Sequence, residues 1–222
     1  MLGIVSFGAF RTSICESLFD LGHRCTGSFH MDGKPVSLGT PKAAMQAGIG
    51  FMSDDDESQK IVPQFSIDQN MTLPFLNRLF PSRIPTPHVE QHIAKQFQDF
   101  LLLDENDLSR PARYLSRGMQ KRLALARWFC IPRRLLMLSE PFKGLDAAGR
   151  QQLEQMISER TAQGSAFIIE SSNYEAMLSL CDRVLLIRDN RMLGTLTAPN
   201  ISKQSILSAV LSNATTGGDF IV

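Results

Sequence analysis

The sequence predicts an α/β domain built on a mostly parallel sheet, and three observations carry that expectation. Short apolar runs bounded by polar residues or glycine recur along the chain, each too uniformly apolar to keep one face in water. Helical patterns separate these runs, and alternation of this kind is the mark of strands joined by crossover helices. The run Leu135–Leu138 ends in Ser139-Glu140-Pro141, so an acid stands just beyond a buried strand. In open parallel sheets, ligands collect at the carboxyl ends of strands.

The elements follow in order. Leu2–Phe7 (LGIVSF) reads as a strand and Thr12–Leu21 as the helix after it, with Gly48–Ser53 (GIGFMS) as the next strand. Pro74, Pro81, Pro85 and Pro87 crowd the middle of the chain, where proline's missing N–H interrupts regular structure. That stretch predicts a linker into a helical subdomain over about residues 74–116, including a helix over His88–Leu102. A helix over Met119–Phe129 leads to the Leu135–Leu138 strand, expected to be central. The helix Ala147–Gln163 should stop at Gly164, since glycine adopts the left-handed cap conformation at no steric cost. Strand Ser165–Glu170, helix Tyr174–Leu180 and strand Arg183–Ile187 complete the pattern, and the tail NATTGGDF is expected to fray.

Composition bounds the function. A chain of 222 residues that is 43% hydrophobic buries a real core and reads as one domain. A formal charge of +1 gives no electrostatic reason to expect nucleic acid. Cys15, Cys25, Cys130 and Cys181 are widely spaced without a CxxC pair, which points to unpaired thiols in a reducing compartment. His88 and His92 have the spacing of helical zinc ligands, but the Val-Glu-Gln between them is not the zinc-protease filling and no third ligand is evident. No apolar run is long enough to span a bilayer.

Two stretches carry chemistry. YLSRGMQKRLALARWF, Tyr114–Phe129, is a polar turn with Ser116 and Gly118 opening a helix with a basic first turn. The N-terminus of a helix offers unpaired N–H groups and a positive dipole end to phosphate. The plainer alternative is that Ser116 merely caps the helix while Lys121, Arg122 and Arg127 form a solvated face. The second stretch is LLMLSEPFKGLD, Leu135–Asp146, a strand, an acid and a glycine turn.

Signature turn, helix, apolar strand, Glu-Pro and Gly-Leu-Asp, taken in order, resemble the ATP-binding cassette (ABC) family, whose pattern runs LSGGQ, a helix, a strand ending Asp-Glu-Pro, and Gly-Leu-Asp. Within that frame SFGAFRTS, Ser6–Ser13, falls where the phosphate loop G-x-x-x-x-G-K-[ST] belongs. Val5 stands at its first glycine, Gly8 is retained, Phe10 replaces the last glycine, Arg11 replaces the lysine and Thr12 keeps the hydroxyl. Arg11-Thr12, Ser53-Asp54-Asp55 and Ser171-Ser172-Asn173 resemble the second cassette of fused sugar-importer ATPases, which serve ribose, galactose, arabinose or autoinducer-2.

The resemblance covers roughly residues 2–210 and implies a P-loop NTPase core with N-terminal antiparallel strands largely missing, forming one nucleotide-binding domain over residues 1–222. It implies weak binding of ATP and Mg2+, with Gly8, Arg11, Thr12 and Ser13 at the nucleotide and Thr12, Asp54 and Ser139 at magnesium. Glu140 is then the catalytic acid, Asp146 belongs to the D-loop and Ser172 takes the switch position. Ser116, Gly118 and Gln120 would cap nucleotide held by another cassette, identical or different, although Arg117 stands at the first signature glycine. The implied partners are that cassette and transmembrane permease subunits, and the implied location is the cytoplasm, peripheral at the inner face of the membrane. Ser139 stands where the family has an acid, so hydrolysis is expected to be weak or lost. An active sugar-import motor and a truncated relic without a transport role are the alternatives.

Overall fold

The computed structural model describes residues 1–7, 14–15, 28–36, 40–54, 61–80, 84–189 and 191–212. The chain divides into two compact units, one of residues 1–53, 133–141 and 157–222, the other of residues 54–132 and 142–156.

The first unit carries a sheet of six strands in the order β4-β5-β6-β1-β7-β8. These are β1 (Leu2–Phe7), β4 (Ile49–Met52), β5 (Leu135–Ser139), β6 (Ala166–Ser171), β7 (Arg183–Arg188) and β8 (Arg191–Thr197). Neighbours from β4 to β7 are parallel, and β8 closes the edge antiparallel to β7. As the sequence predicts, β5 is interior, paired to β4 on one side and β6 on the other, and all of its residues are buried. A run this apolar is stable only where both faces are covered. A separate hairpin of β2 (Phe29–Met31) and β3 (Lys34–Val36) pairs antiparallel. Helix α1 (Pro41–Gln46) starts at Thr40, whose side chain accepts from the Ala43 N–H, with Pro41 at the first helical position. The core around Ile4, Ile49, Leu135, Met137 and Ile187 includes Cys15 and Ala44.

The second unit is helical. It contains α2 (Ile67–Thr72), α3 (Leu76–Leu79), α4 (Pro87–Lys95), α5 (Gln98–Leu101) and α6 (Arg117–Phe129), and α2 packs on both α4 and α6. Two expectations change here. The Pro74 region is not an open linker, because Leu73–Phe75 forms a 3-10 turn that runs into α3. The single helix expected over His88–Leu102 is broken: the N–H groups of Gln96 and Phe97 bond to the carbonyls of Ile93 and Ala94, three residues back, and this tighter turn ends α4. Leu102 then closes α5 in the left-handed conformation with φ 57°. Side-chain periodicity does not register such a tightening of the backbone.

Helix α7 (Ala147–Ala162) begins in the second unit and ends in the first. It stops at Gly164, with φ 92°, where the N–H groups of Gly164 and Ser165 take up the carbonyls of Thr161 and Arg160. Helices α8 (Glu175–Leu180) and α9 (Lys203–Ser212) also belong to the first unit.

Candidate functional site

In the first unit, the carboxyl ends of β5 and β6 bring Ser139, Glu140, Ser171 and Ser172 together. Ser139 is buried and pairs in register with Glu170. One residue on, the Glu140 N–H donates to the Glu170 carbonyl at 2.7 Å, and Glu140 itself sits at φ 45°, a left-handed conformation that a side chain enters only at a cost of order 1–3 kcal/mol. One carboxylate oxygen of Glu140 accepts from the Ser171 hydroxyl at 2.8 Å, and the other accepts from the Ser172 backbone N–H. Ser172, expected at the switch position, therefore meets Glu140 through its main chain.

The sequence reading gave Ser171 and Glu170 no role of their own, although Ser171 stands in the motif with Ser172 and Glu170 ends a strand. Glu170 ends an apolar run and is buried, and its carboxylate accepts from the backbone N–H groups of Ile14 at 3.2 Å and Cys15 at 3.3 Å. Burial first, then the charge of Glu170, raises the Cys15 thiol well above its ordinary range. The signal was available: a carboxylate at the end of a strand buried on both sides requires partners. Gly8, Arg11, Thr12 and Ser13, the expected phosphate-loop residues, lie outside the described residues.

The donors described here do not fit magnesium well. Ser139 presents a neutral hydroxyl where a hard cation calls for a carboxylate.

In the second unit, Ser116 is the N-cap of α6, its hydroxyl accepting from the Met119 N–H at 3.3 Å. The Gln120 side chain donates back to the Leu115 carbonyl at 3.2 Å, while Arg117 and Gly118 are exposed at the first turn. The turn is thus a regular cap with its first residues open to solvent. The basic residues behind it are not a solvated face, because Lys121, Arg122 and Arg127 are all buried. The Arg122 guanidinium donates to the Phe100 carbonyl at 2.8 Å, to Gln152 at 3.1 Å and to Asp146 at 2.6 Å. Asp146, assigned to the D-loop, also accepts from the Gly149 N–H at 2.8 Å, the pattern of a residue capping α7. A Cβ on Gly149 would lie 2.5 Å from an Arg122 nitrogen, so only glycine leaves room for the guanidinium. Asp54, assigned to magnesium, is ion-paired to Lys143 at 2.6 Å and Lys121 at 3.3 Å. Two ammonium groups already balance its charge.

The strand delivering Glu140 beyond a buried Ser139 and the helix capped by Ser116 ahead of it in the chain both lie in the stretch that matches known proteins. The ABC transporter family profile matches residues 7–143. The chain belongs to that family. Cassettes of this family bind ATP and Mg2+ and dimerise, and import systems pair them with membrane permeases. Among curated relatives, a ribose/galactose/methyl galactoside import ATP-binding protein of Agrobacterium fabrum is 31% identical over 94% of this chain and 42% of its own length. A ribose import ATP-binding protein of Bacillus cereus is 29% identical over 99% of this chain and 43% of its own. The chain thus spans less than half the length of these relatives. Solved cassettes share the α/β fold. A dimeric post-hydrolysis cassette bound to ADP and phosphate matches with TM-score 0.71 at 14% identity, covering 90% of this chain and 86% of that one. The ATP-binding subunit of an ABC transporter matches with TM-score 0.73 at 15% identity, covering 97% and 88%. Among the described residues, no helix is long and apolar enough to cross a membrane.

Proposed function

We propose that this chain is the ATP-binding subunit of a carbohydrate-type ABC importer, one that binds nucleotide weakly, hydrolyses it poorly or not at all, and lends its signature turn to the ATP site of a partner cassette. The buried Ser139 beside Glu140 carries the reading, because a hydroxyl stands where the family's acid would hold magnesium. The relatives named for ribose import support the substrate class. In this reading Ser116, Gly118 and Gln120 face the partner's nucleotide. The domain spans residues 1–222, with its helical subdomain over about 74–116, and works in the cytoplasm at the inner face of the membrane beside permease subunits. Phe10 and Arg11 stand for a glycine and a lysine of the phosphate loop, which weakens this chain's own grip on phosphate.

The test is phosphate release by a competent partner cassette with and without this chain. Ser116→Arg should lower the stimulated rate by about 10²-fold or more, the scale of losing one preorganised donor. A partner indifferent to that substitution overturns the reading. Calorimetry on this chain alone should find ATP binding weaker than low micromolar, and a low-micromolar constant contradicts it.

One observation favours the active motor instead: Glu140 is present and held at the end of β5. Magnesium-dependent phosphate release by the purified chain, abolished by Glu140→Gln, would establish that alternative.

A further inference from the structure

The carboxylate of Glu140 owes its place to Ser171. The Ser171 hydroxyl has a single proton, and its oxygen already accepts from the Asn173 N–H at 3.1 Å. That acceptor bond leaves the proton for one direction, toward Glu140 at 2.8 Å. Ser171 is fully buried, so water does not compete for it. Its backbone is the last residue of β6, and the turn beyond it is pinned by the Asn173 side chain, which accepts from the Glu175 N–H at 3.0 Å as α8 begins. Glu140 is therefore gripped three times by consecutive residues of one strand end: its N–H by the Glu170 carbonyl, one oxygen by the Ser171 hydroxyl, the other by the Ser172 N–H. A left-handed residue such as Glu140 keeps its conformation only while its surroundings over-determine it.

We infer that Ser171 is a positioning residue for Glu140, holding the carboxylate on the β6–α8 turn in a single orientation from which it can accept from an attacking water. Each carboxylate oxygen has a second lone-pair site, so one protein bond apiece aims the group without exhausting it. The inference rests on the family's use of this acid in the proposed function, but the grip itself does not depend on turnover.

Hydrogen exchange at the Ser172 amide reads the grip directly. Ser171→Ala removes a charge-assisted bond and should speed exchange of that amide about tenfold, after correction for the changed neighbour, with Ser171→Thr restoring protection. Glu140→Gln should speed it as well, by removing the charge the amide faces. Protection of the Leu136–Leu138 amides in β5 should stay unchanged in every variant, which separates a local release from a loosened fold. Where phosphate release is measurable, Ser171→Ala should lower kcat about tenfold with KM unchanged, and Ser171→Thr should recover it. A Ser172 amide that exchanges at the same rate in wild type, Ser171→Ala and Glu140→Gln overturns the inference, whatever the chain does to a partner's activity. Conversely, a partner indifferent to Ser116→Arg removes the proposed function and leaves the Ser172 result standing.

Discussion

Acids of the two units, Glu140 in one and Asp54 and Asp146 in the other, are held in opposite ways. At the strand ends of the first unit, Glu140 is met by a hydroxyl and a backbone N–H group. In the second unit, Asp54 and Asp146 are met by Lys121, Lys143 and Arg122. Neutral donors aim a carboxylate and leave its charge in place, ready to act on something else. A cation cancels that charge and turns the acid into scaffolding. The difference therefore marks which acids are available for chemistry and which hold the fold.

The largest expected effect lies in the scaffolding. Arg122 is buried and serves three acceptors, so Arg122→Ala should cost about 3 kcal/mol in urea denaturation, the scale of stripping partners from buried polar groups. Gly149→Ala should cost about 1–3 kcal/mol by pressing a methyl group on the guanidinium, and less in the Arg122→Ala background, where the nearest obstruction is gone and only the Asp146 carboxylate, 2.8 Å from the added carbon, remains. Additive losses would show that the two positions are not coupled.

The next test loads the neutral site with charge. Ser139→Asp places a second carboxylate, unpaired, at a buried position beside Glu140, and should lower stability by about 1–3 kcal/mol in metal-free buffer. Millimolar magnesium should return part of that loss in the variant and do little for the wild type. Equal magnesium stabilisation of both proteins would mean that the wild-type donors already suffice for the cation.

Glu90 provides the smallest effect and, like Asp68, is an acid of the second unit met by neutral donors. It is a buried acid on α4 whose carboxylate accepts from the Thr72 hydroxyl at 2.8 Å. Burial raises its pKa, the Thr72 bond opposes this, and the charge of Asp68 adds to it. Because the folded state holds the proton more tightly than the unfolded one, stability falls as pH rises from the ordinary carboxylate range through the raised folded value. Glu90→Gln should flatten that slope, so its melting temperature should gain on the wild type across the window and run parallel to it above. Parallel melting curves at every pH would show that Glu90 is solvated after all.

Much of the first unit was legible because buried parallel strands are written as uniform apolar runs. Leu135–Leu138 needed no other signal, and it differs from β5 by one residue. The second unit was less legible. Its break at Gln96–Phe97 is a matter of backbone hydrogen bonds that reach three residues back instead of four, and α2 went unread although Gln69 accepts from the Ser66 N–H in the manner of a capping box. Ser139 at the end of β5 and Ser116 at the start of α6 were readable as element ends from the order of the sequence. The inward turn of Ser171 was not, because a serine beside the expected switch residue gives no hint of which of two neighbours turns inward. The solvated-face alternative for Arg122 fails for a related reason: charge on a helix suggests water, and only the positions of Phe100, Gln152 and Asp146 reveal a burial site built to receive it.

Trp128 meets Phe75 edge to face, with ring centroids 5.6 Å apart. It is the single tryptophan in the chain, and both rings belong to the helical unit. Tryptophan emission, excited selectively, consequently comes from that unit alone. Emission and far-ultraviolet dichroism followed through the same denaturant titration would then trace one curve if the halves melt as a single cooperative body, and two if the helices let go on their own terms.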